Sequence, residues 1–248
     1  MNTRAMRLSG FGVGVAAVAV WLFLDALHWA PRAYTTFLLV PLPAMLLVQT
    51  RLMDGLPAET EREAVYLSSA ISVWTLAVFA MIAARVGGFT RDQLYLAVPG
   101  WTTLLLAAAA TTAVGIGLMA GARLLRVREG ELLRFLMPKS STEKIAFAGL
   151  SVSAGIAEEL VFRAFLLAAL LQAGTGIVAA VALSVTLFAL SHAYQGIAGV
   201  VRVLLLGSLL TVPILLTGSI YPSIIAHAAL DLIAGLVLGR WLTGERGD

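Results

Sequence analysis

Cysteine is absent from the sequence, so disulfide bonds and thiolate metal sites are excluded. Charged residues are also scarce, at 12% of the chain against 60% hydrophobic residues, and the mean hydropathy is +0.93. This balance is typical of integral membrane proteins and excludes an ordinary soluble domain. Histidine occurs only three times in 248 residues, so the surroundings of each histidine can be considered separately.

Long hydrophobic runs make up much of the sequence. A membrane-spanning helix needs about 20 mostly apolar residues. We therefore predict an all-α, polytopic membrane protein of about eight transmembrane helices. The predicted spans are Phe11–Leu27, Tyr34–Gln49, Val65–Arg85, Trp101–Arg123, Ile145–Leu171, Gly174–Ser191, Ile197–Leu216 and Pro222–Trp241.

The basic residues are unevenly divided between the two sides that eight spans would define. Thirteen fall on the side of the termini, against Arg32, Arg85 and Arg91 on the other side. The positive-inside rule then predicts a multi-pass protein of the inner (plasma) membrane with both termini in the cytoplasm. The net charge of +3 is thus a topology signal, and we expect the lipid bilayer, not nucleic acid, as a partner. The sequence does not indicate an oligomeric state.

Two hydrophilic breaks interrupt the hydrophobic pattern, and the longer one precedes residue 145. We predict one integral membrane domain over residues 1–248, with scaffold helices in 1–127, an interfacial linker in 128–143 and a catalytic core in 144–248. The four spans before the break carry few ionisable groups, whereas the later spans carry nearly all of them. This distribution also disfavours a transporter, which would need an ionisable pathway through the first spans.

Three charged residues lie in the hydrophobic segment AGIAEELVFRAF. A charge at the bilayer centre costs at least about 2.5 kcal/mol, so each needs a reason to be there. Glu159 and Arg163 are four residues apart on one helix face, a spacing that predicts an ion pair. Glu158 points about 100° away and is left free to act as a general base. The alternative is a charge cluster that only fixes helix packing.

Two further pairs share the spacing of four residues. Phe188 and His192 lie in FALSH, near the end of a span, and His227 and Asp231 lie in HAALD, in the last span. A carboxylate at that spacing can orient an imidazole and fix its tautomer. The third histidine, His28, lies beside Trp29 and is interpreted as an interfacial residue.

These patterns together resemble the CPBP family of intramembrane proteases, the CAAX-processing and bacteriocin-processing group also called Abi. EELVFR fits the family pattern EExxxR, FALSH fits FxxxH, and HAALD fits HxxxN/D, in the family's order, over roughly residues 144–238. TGSIYPSIIAH is similar to the segment that usually precedes the last histidine. The resemblance implies a glutamate-dependent endopeptidase, whose eukaryotic members remove a C-terminal tripeptide from prenylated proteins.

The resemblance also implies a role for each matching residue. Glu158 and His192 would activate the attacking water, and His227 and Asp231 would stabilise the oxyanion. Three supporting residues would hold the site in shape: Glu159, Arg163 and Phe188. The expected substrate is a membrane-anchored or C-terminally tailed protein or peptide. The alternative is a non-proteolytic membrane scaffold or bacteriocin-immunity protein, which would tolerate the loss of Glu158.

Asp231 departs from the asparagine that many members carry at this position. An amide always offers a donor, whereas a carboxyl group donates only when it is protonated, so Asp231 either acts protonated or orients His227. Glu158, His192 and His227 are also a plausible zinc set. The resemblance favours a metal-free mechanism without a cofactor, with zinc as the alternative.

The depth of these residues in the membrane raises a difficulty. In straight, full-length helices, which rise about 1.5 Å per residue, Glu158 would lie near mid-bilayer, His192 near the cytoplasmic face and His227 nearer the opposite face. The three side chains would then not meet. A joint site requires tilted or unequal helices, or a segment around Thr217–Tyr221 that lines a water-filled cavity inside the membrane.

Overall fold

The computed structural model of the chain describes residues 3–53, 61–125, 131–239 and 241. Within these ranges the chain is mainly helical, and an isolated bridge between Leu96 and Ser219 is the only β pairing. The α-helices are α1 Thr3–Phe23, α2 Trp29–Leu39, α3 Pro41–Met53, α4 Arg62–Val86, α5 Trp101–Leu124, α6 Glu131–Phe135, α7 Ser141–Glu158, α8 Leu167–Gln172, α9 Ile177–Leu190, α10 Gly196–Thr217 and α11 Tyr221–Leu232. The first π-helix is Glu159–Leu166, the second is Ile233–Val237, and a 3₁₀ turn covers Ala193–Gln195.

Several helical stretches are apolar enough to lie across a membrane. Four of them in the described residues are also long enough to cross it: Trp29–Val48, Arg62–Val86, Trp101–Leu124 and Ala193–Thr217. Three shorter apolar helices are Gly12–Phe23, Ile177–Leu190 and Tyr221–Val237. The chain is an all-α, polytopic membrane protein, as predicted, whereas the number of eight spans stays a prediction.

The second predicted span is two helices and not one. α2 ends at Leu39 and α3 begins at Pro41, with Val40 outside helical geometry at φ −126° and ψ −66°. A proline has no N–H to donate and restricts the residue before it, so a helix tends to end there. The predicted span Tyr34–Gln49 thus coincides with the candidate span Trp29–Val48 but contains a break at Val40.

α7 lies at the centre of the fold, between α4 and α11. A capping box fixes its start, because Ser140 Oγ accepts from the Glu143 N–H at 3.1 Å and the Glu143 carboxylate accepts from the Ser140 N–H at 3.0 Å. Arg62, at the start of α4, lies 3.1 Å from the Glu143 carboxylate. The segment predicted to be an interfacial linker thus contains α6 and the start of α7; residues 128–130 lie outside the described ranges.

α7 and α11 approach each other closely because a glycine lies between them. A Cβ at Gly155 would lie 2.8 Å from the backbone nitrogen of Ala228, closer than real Cβ atoms come. A Cβ at Gly149, on the same helix, would meet no atom within 4 Å. The approach at Gly155 allows α7 and α11 to bring their polar side chains together.

α7 continues into the first π-helix, which lies mostly in the protein interior. Every residue from Val161 to Leu166 is buried, and so is Glu159. In a π-helix the backbone bonds span five residues, as between the Leu167 N–H and the Phe162 carbonyl. Ser184 of α9 donates a second hydrogen bond to this carbonyl at 2.6 Å, which connects α9 to the π-helix.

The first π-helix carries a fully buried ion pair. Arg163 Nη1 donates to Glu159 Oε1 at 3.1 Å, and the two side chains are 1% and 0% exposed. Arg163 Nη2 donates to the Gly207 carbonyl of α10 at 3.0 Å, and the guanidinium carbon lies 4.1 Å from the centre of the Phe188 ring. The ion pair predicted from the spacing is therefore present, and it also connects α9 and α10 to the π-helix.

We expect Gly155→Ala to reduce the stability of the folded protein, because the new methyl group meets backbone atoms of α11 that cannot move aside. Overpacking of this kind typically costs about 1–3 kcal/mol. The measurement is the thermal midpoint and the yield of monodisperse protein in detergent. Gly149→Ala is the matched control and should be neutral or slightly stabilising; equal midpoints for the two variants would contradict the close approach.

We expect Arg163→Ala to reduce the amount of folded protein, because it leaves the Glu159 carboxylate buried without its cation. Breaking a buried pair in this way typically costs about 3–5 kcal/mol. Arg85→Ala, which removes an exposed arginine at the end of α4, is the control and should accumulate normally.

A second substitution tests whether the cost arises from the uncompensated charge. Adding Glu159→Gln to Arg163→Ala removes that charge and should restore part of the lost abundance in the membrane fraction. If Arg163→Ala alone accumulates as well as Arg85→Ala, the pair does not stabilise the fold.

Candidate active site

A cavity of about 570 Å³ lies between α3, α4, α5, α7, α10 and α11. Most of its wall is apolar, but ionisable side chains meet on one part of it. These lining residues are Glu158, His192, Arg202, His227 and Asp231. A largely apolar cavity with a few convergent polar groups is the usual form of a binding or active site.

The residues of the three sequence patterns therefore line one cavity. Glu158 Oε2 lies 3.7 Å from His227 Nε2, although the two residues are far apart in the sequence. His227 Nε2 also lies 3.7 Å from Asp231 Oδ2. His192 is connected to this group through Phe188, whose ring centre lies 5.0 Å from that of His192 and 5.7 Å from that of His227.

The two neighbouring glutamates have different surroundings. Glu159 is fully buried, and its Oε1 lies within hydrogen-bond distance of both Arg163 and His227. Glu158 lines the cavity with a side chain that is 13% exposed, and Oε2 of each glutamate has no hydrogen-bond partner among the described residues. Glu159 is thus held through one oxygen in the protein interior, whereas Glu158 lies at the cavity wall.

His227 is held in place by Glu159. The distance between His227 Nδ1 and Glu159 Oε1 is 2.9 Å, and an imidazole whose Nδ1–H donates to a carboxylate has its ring orientation and tautomer fixed. Sequence reasoning considered only Asp231 for this role, because four-residue spacing is visible in a sequence. The Glu159–His227 contact joins residues 68 positions apart, and no spacing rule could have predicted it.

Asp231 lies near Nε2 of the His227 imidazole, the nitrogen that Glu159 does not contact. Its side chain is 41% exposed, and its nearest contact to His227 is with Nε2, the nitrogen that faces Glu158. Glu158 and Asp231 therefore flank Nε2, while Glu159 occupies Nδ1. This arrangement supplies three carboxylates around one imidazole, which can balance the charge of a doubly protonated ring.

His192 follows the C-terminal end of α9. Its Nδ1 lies 2.9 Å from the Phe188 carbonyl and 3.1 Å from Ser191 Oγ. When Nδ1–H donates to the carbonyl, Nε2 is the nitrogen left to accept a proton. The four-residue spacing of Phe188 and His192 thus supplies both a ring contact and the acceptor that fixes the imidazole.

The helices differ in length, and this removes the reason to expect the site residues at different depths in the membrane. α9 has 14 residues, so it rises about 21 Å, less than the roughly 30 Å of a hydrocarbon core. A residue at its end, such as His192, does not need to reach the membrane surface. The assumption of straight, full-length helices is therefore wrong, and the observed contact between Glu158 and His227 is compatible with the fold.

The polar residues that line the cavity and that sequence reasoning did not select include Tyr194, Gln195 and Arg202. Arg202 was counted only as a topology signal, although a basic residue within a hydrophobic span is itself a sign of function. His28 is exposed and packs near Trp29, with ring centres 5.9 Å apart, and it is not among the cavity residues.

The metal-free mechanism and the zinc alternative both stay predictions. The described residues contain no group of three or more histidine, aspartate or glutamate side chains that could hold a metal ion. Nδ1 of His192 faces a carbonyl and Nδ1 of His227 faces Glu159, so each ring has one nitrogen left for another partner. We therefore derive no reaction step through a metal.

One family comparison matches the part of the chain that carries the site. Residues 140–233 match the family described as type II CAAX prenyl endopeptidase Rce1-like. The match begins at the capping residue of α7 and ends just after α11, so it contains both glutamates of the π-helix junction and both cavity histidines. No match was found among curated proteins or among solved structures. The segment that matches the CAAX protease family thus carries Glu158, His192, Arg202, His227 and Asp231, the charged and imidazole groups of the cavity.

Proposed function

We propose that this protein is an intramembrane endopeptidase that hydrolyses a peptide bond with water activated by Glu158 and His192. The observation that supports this most strongly is the position of Glu158, which lines the cavity with a side chain that is 13% exposed and places Oε2 3.7 Å from His227 Nε2. Glu159, in contrast, is fully buried and holds Arg163 and His227 through Oε1. The family comparison supports peptide hydrolysis as the reaction class.

The first step joins water to the scissile carbonyl. Glu158 accepts one proton of the water, with His192 Nε2 as a second acceptor that orients it, and the water oxygen forms a bond to the carbonyl carbon. The electron pair of the C=O bond moves to its oxygen and gives a tetrahedral oxyanion. The proton held by Glu158 then passes to the nitrogen as the C–N bond breaks, which yields one carboxylic acid and one amine.

His227 is suited to stabilise the oxyanion. Glu159 fixes the ring through Nδ1, so Nε2 keeps its direction towards the cavity. When Nε2 also carries a proton, it donates to the developing negative charge, and the carboxylates around the ring balance the imidazolium. Asp231 adds a second donor when protonated. A fixed donor aimed at the oxyanion is typically worth about 10²–10³ in rate.

The substrate that we propose is a membrane-anchored or C-terminally tailed protein or peptide. The matched family is described by its action on CAAX prenyl proteins, and a mainly apolar cavity of about 570 Å³ suits a chain segment with an apolar anchor. We also propose that both termini face the cytoplasm. In that orientation the described basic residues around Arg62, Arg123 and Lys144 lie on the cytoplasmic side.

We expect Glu158→Ala and His192→Ala each to abolish processing, because both residues act on the attacking water. Each variant should keep the thermal midpoint of the parent protein, since neither side chain belongs to the buried ion pair. The measurement is the mass of two probes in reconstituted vesicles. One is a farnesylated peptide ending in a CAAX sequence, and the other is a single-span peptide with a short unprenylated C-terminal tail.

The controls distinguish a loss of cleavage activity from a loss of folded protein. Asp25→Ala removes an exposed carboxylate outside the cavity and should leave the mass shift intact. Elemental analysis of the same active protein should find far less than one zinc per chain. Cleavage of either probe at the parental rate by Glu158→Ala, or no cleavage of both probes by the folded parent protein, would contradict the proposed protease and favour the scaffold alternative.

The role of Asp231 can be tested by comparing two substitutions. If the carboxyl group donates to the oxyanion, Asp231→Asn keeps a donor and retains most of the activity, whereas Asp231→Ala loses about 10²–10³ in kcat. If its charge only balances His227, both variants lose the charge and should be equally impaired. Cleavage rates of the same two probes distinguish these results, and we expect asparagine to be tolerated.

A further inference from the structure

The 3₁₀ turn after His192 carries a polar cluster that none of the sequence patterns includes. Tyr194 and Gln195 belong to this turn, and Arg202 follows in the second turn of α10. All three line the same cavity as Glu158 and Asp231. Tyrosine, glutamine and arginine within an apolar segment are costly unless they bond to one another or serve the site.

The hydrogen bonds of this cluster have a fixed direction. Arginine can only donate, and Arg202 Nη2 lies 2.9 Å from Gln195 Oε1. This contact fixes which end of the Gln195 amide is oxygen, so the amide nitrogen faces the other way and donates to Tyr194 Oη at 3.2 Å. The Tyr194 oxygen therefore acts as an acceptor from Gln195, and its own O–H hydrogen must point to a different acceptor.

The Tyr194 ring lies beside His192 at the cavity. The centre of its ring is 6.0 Å from that of His192, and the two planes are inclined by 30°. Tyr194, Glu158 and Asp231 line the same cavity. A donor is thus available close to the residues that would activate water.

The site needs such a donor. A tetrahedral oxyanion is usually stabilised by more than one fixed donor. His227 Nε2 is the clearest one in the described site, and an ionised Asp231 can only accept. A phenol O–H is always a donor near neutral pH, so it supplies a donor that does not depend on the protonation of Asp231.

We propose that Tyr194 is a catalytic residue whose hydroxyl donates a hydrogen bond to the tetrahedral oxyanion. Gln195 and Arg202 are positioning residues, because their hydrogen bonds turn the hydroxyl hydrogen towards the substrate. This inference rests on the proposed peptide hydrolysis and adds a residue to it.

The first test is Tyr194→Phe, which removes the hydroxyl and keeps the ring against His192. With the two vesicle probes, kcat should fall by about 10²–10³, the usual loss for one oxyanion donor, while KM changes little. Tyr34→Phe is the matched control. The Tyr34 hydroxyl donates to the Leu76 carbonyl at 2.6 Å and does not line the cavity, so its removal should leave kcat unchanged.

The second test reverses the direction of the hydrogen bond without removing Tyr194. In Gln195→Glu, an ionised carboxylate still accepts from Arg202, but it has no hydrogen to donate, so the Tyr194 hydroxyl turns to donate to it. We expect kcat to fall although the Arg202 contact is kept or strengthened. The double variant with Tyr194→Phe should be no slower than Tyr194→Phe alone, because both changes remove the same donor.

The outcomes distinguish this inference from the proposed function. If Glu158→Ala is inactive while Tyr194→Phe turns over at the parental kcat, Tyr194 is not a catalytic residue and the protease proposal stands. If Tyr194→Phe raises only KM, the hydroxyl binds substrate and the oxyanion role is wrong. If Gln195→Glu is fully active, or if its effect adds to that of Tyr194→Phe, the positioning role is wrong.

Discussion

The buried carboxylate of Glu159 is the constraint on which the site depends. One oxygen lies within hydrogen-bond distance of Arg163, in the same π-helix, and of His227 in α11. Arg163 in turn donates to a carbonyl of α10 and lies over the Phe188 ring of α9. A single buried charge thus fixes four helical segments, and removing any partner would leave a charge in an apolar interior.

Glu158 and Glu159 are adjacent in the sequence, but their proposed roles differ. A carboxylate that holds a fold needs hydrogen-bond partners, whereas one that activates water, as proposed for Glu158, must be reachable from the cavity. Glu159 Oε1 lies within hydrogen-bond distance of Arg163 and His227, and Glu158 lines the cavity with a side chain that is 13% exposed. The change from α-helix to π-helix falls between the two glutamates, at the kind of position where π-helices often mark function. The close contact at Gly155 then brings α11 near enough for His227 to reach both carboxylates.

Local spacing made part of this arrangement predictable from the sequence. Hydropathy predicted the all-α membrane class, and the spacing of four residues predicted the Glu159–Arg163 pair and placed Phe188 and His192 on the same helix face. Contacts between distant residues were not predictable in this way, as the bond from Glu159 to His227 shows. The depth argument was wrong because hydropathy alone does not show that α9 is short. Tyr194 and Gln195 were missed because the role proposed for them depends on a hydrogen-bond direction that only the position of Arg202 defines.

The most direct test compares Glu158→Gln with Glu159→Gln, which remove the same charge from neighbouring positions while keeping side-chain size. The measurement is kcat on the two vesicle probes together with the thermal midpoint of each purified variant. The account predicts that Glu158→Gln loses about 10²–10⁴ in kcat at an unchanged midpoint, whereas Glu159→Gln lowers the midpoint because Arg163 loses its counter-charge. Parental turnover by Glu158→Gln, together with an inactive Glu159→Gln of unchanged midpoint, would contradict it.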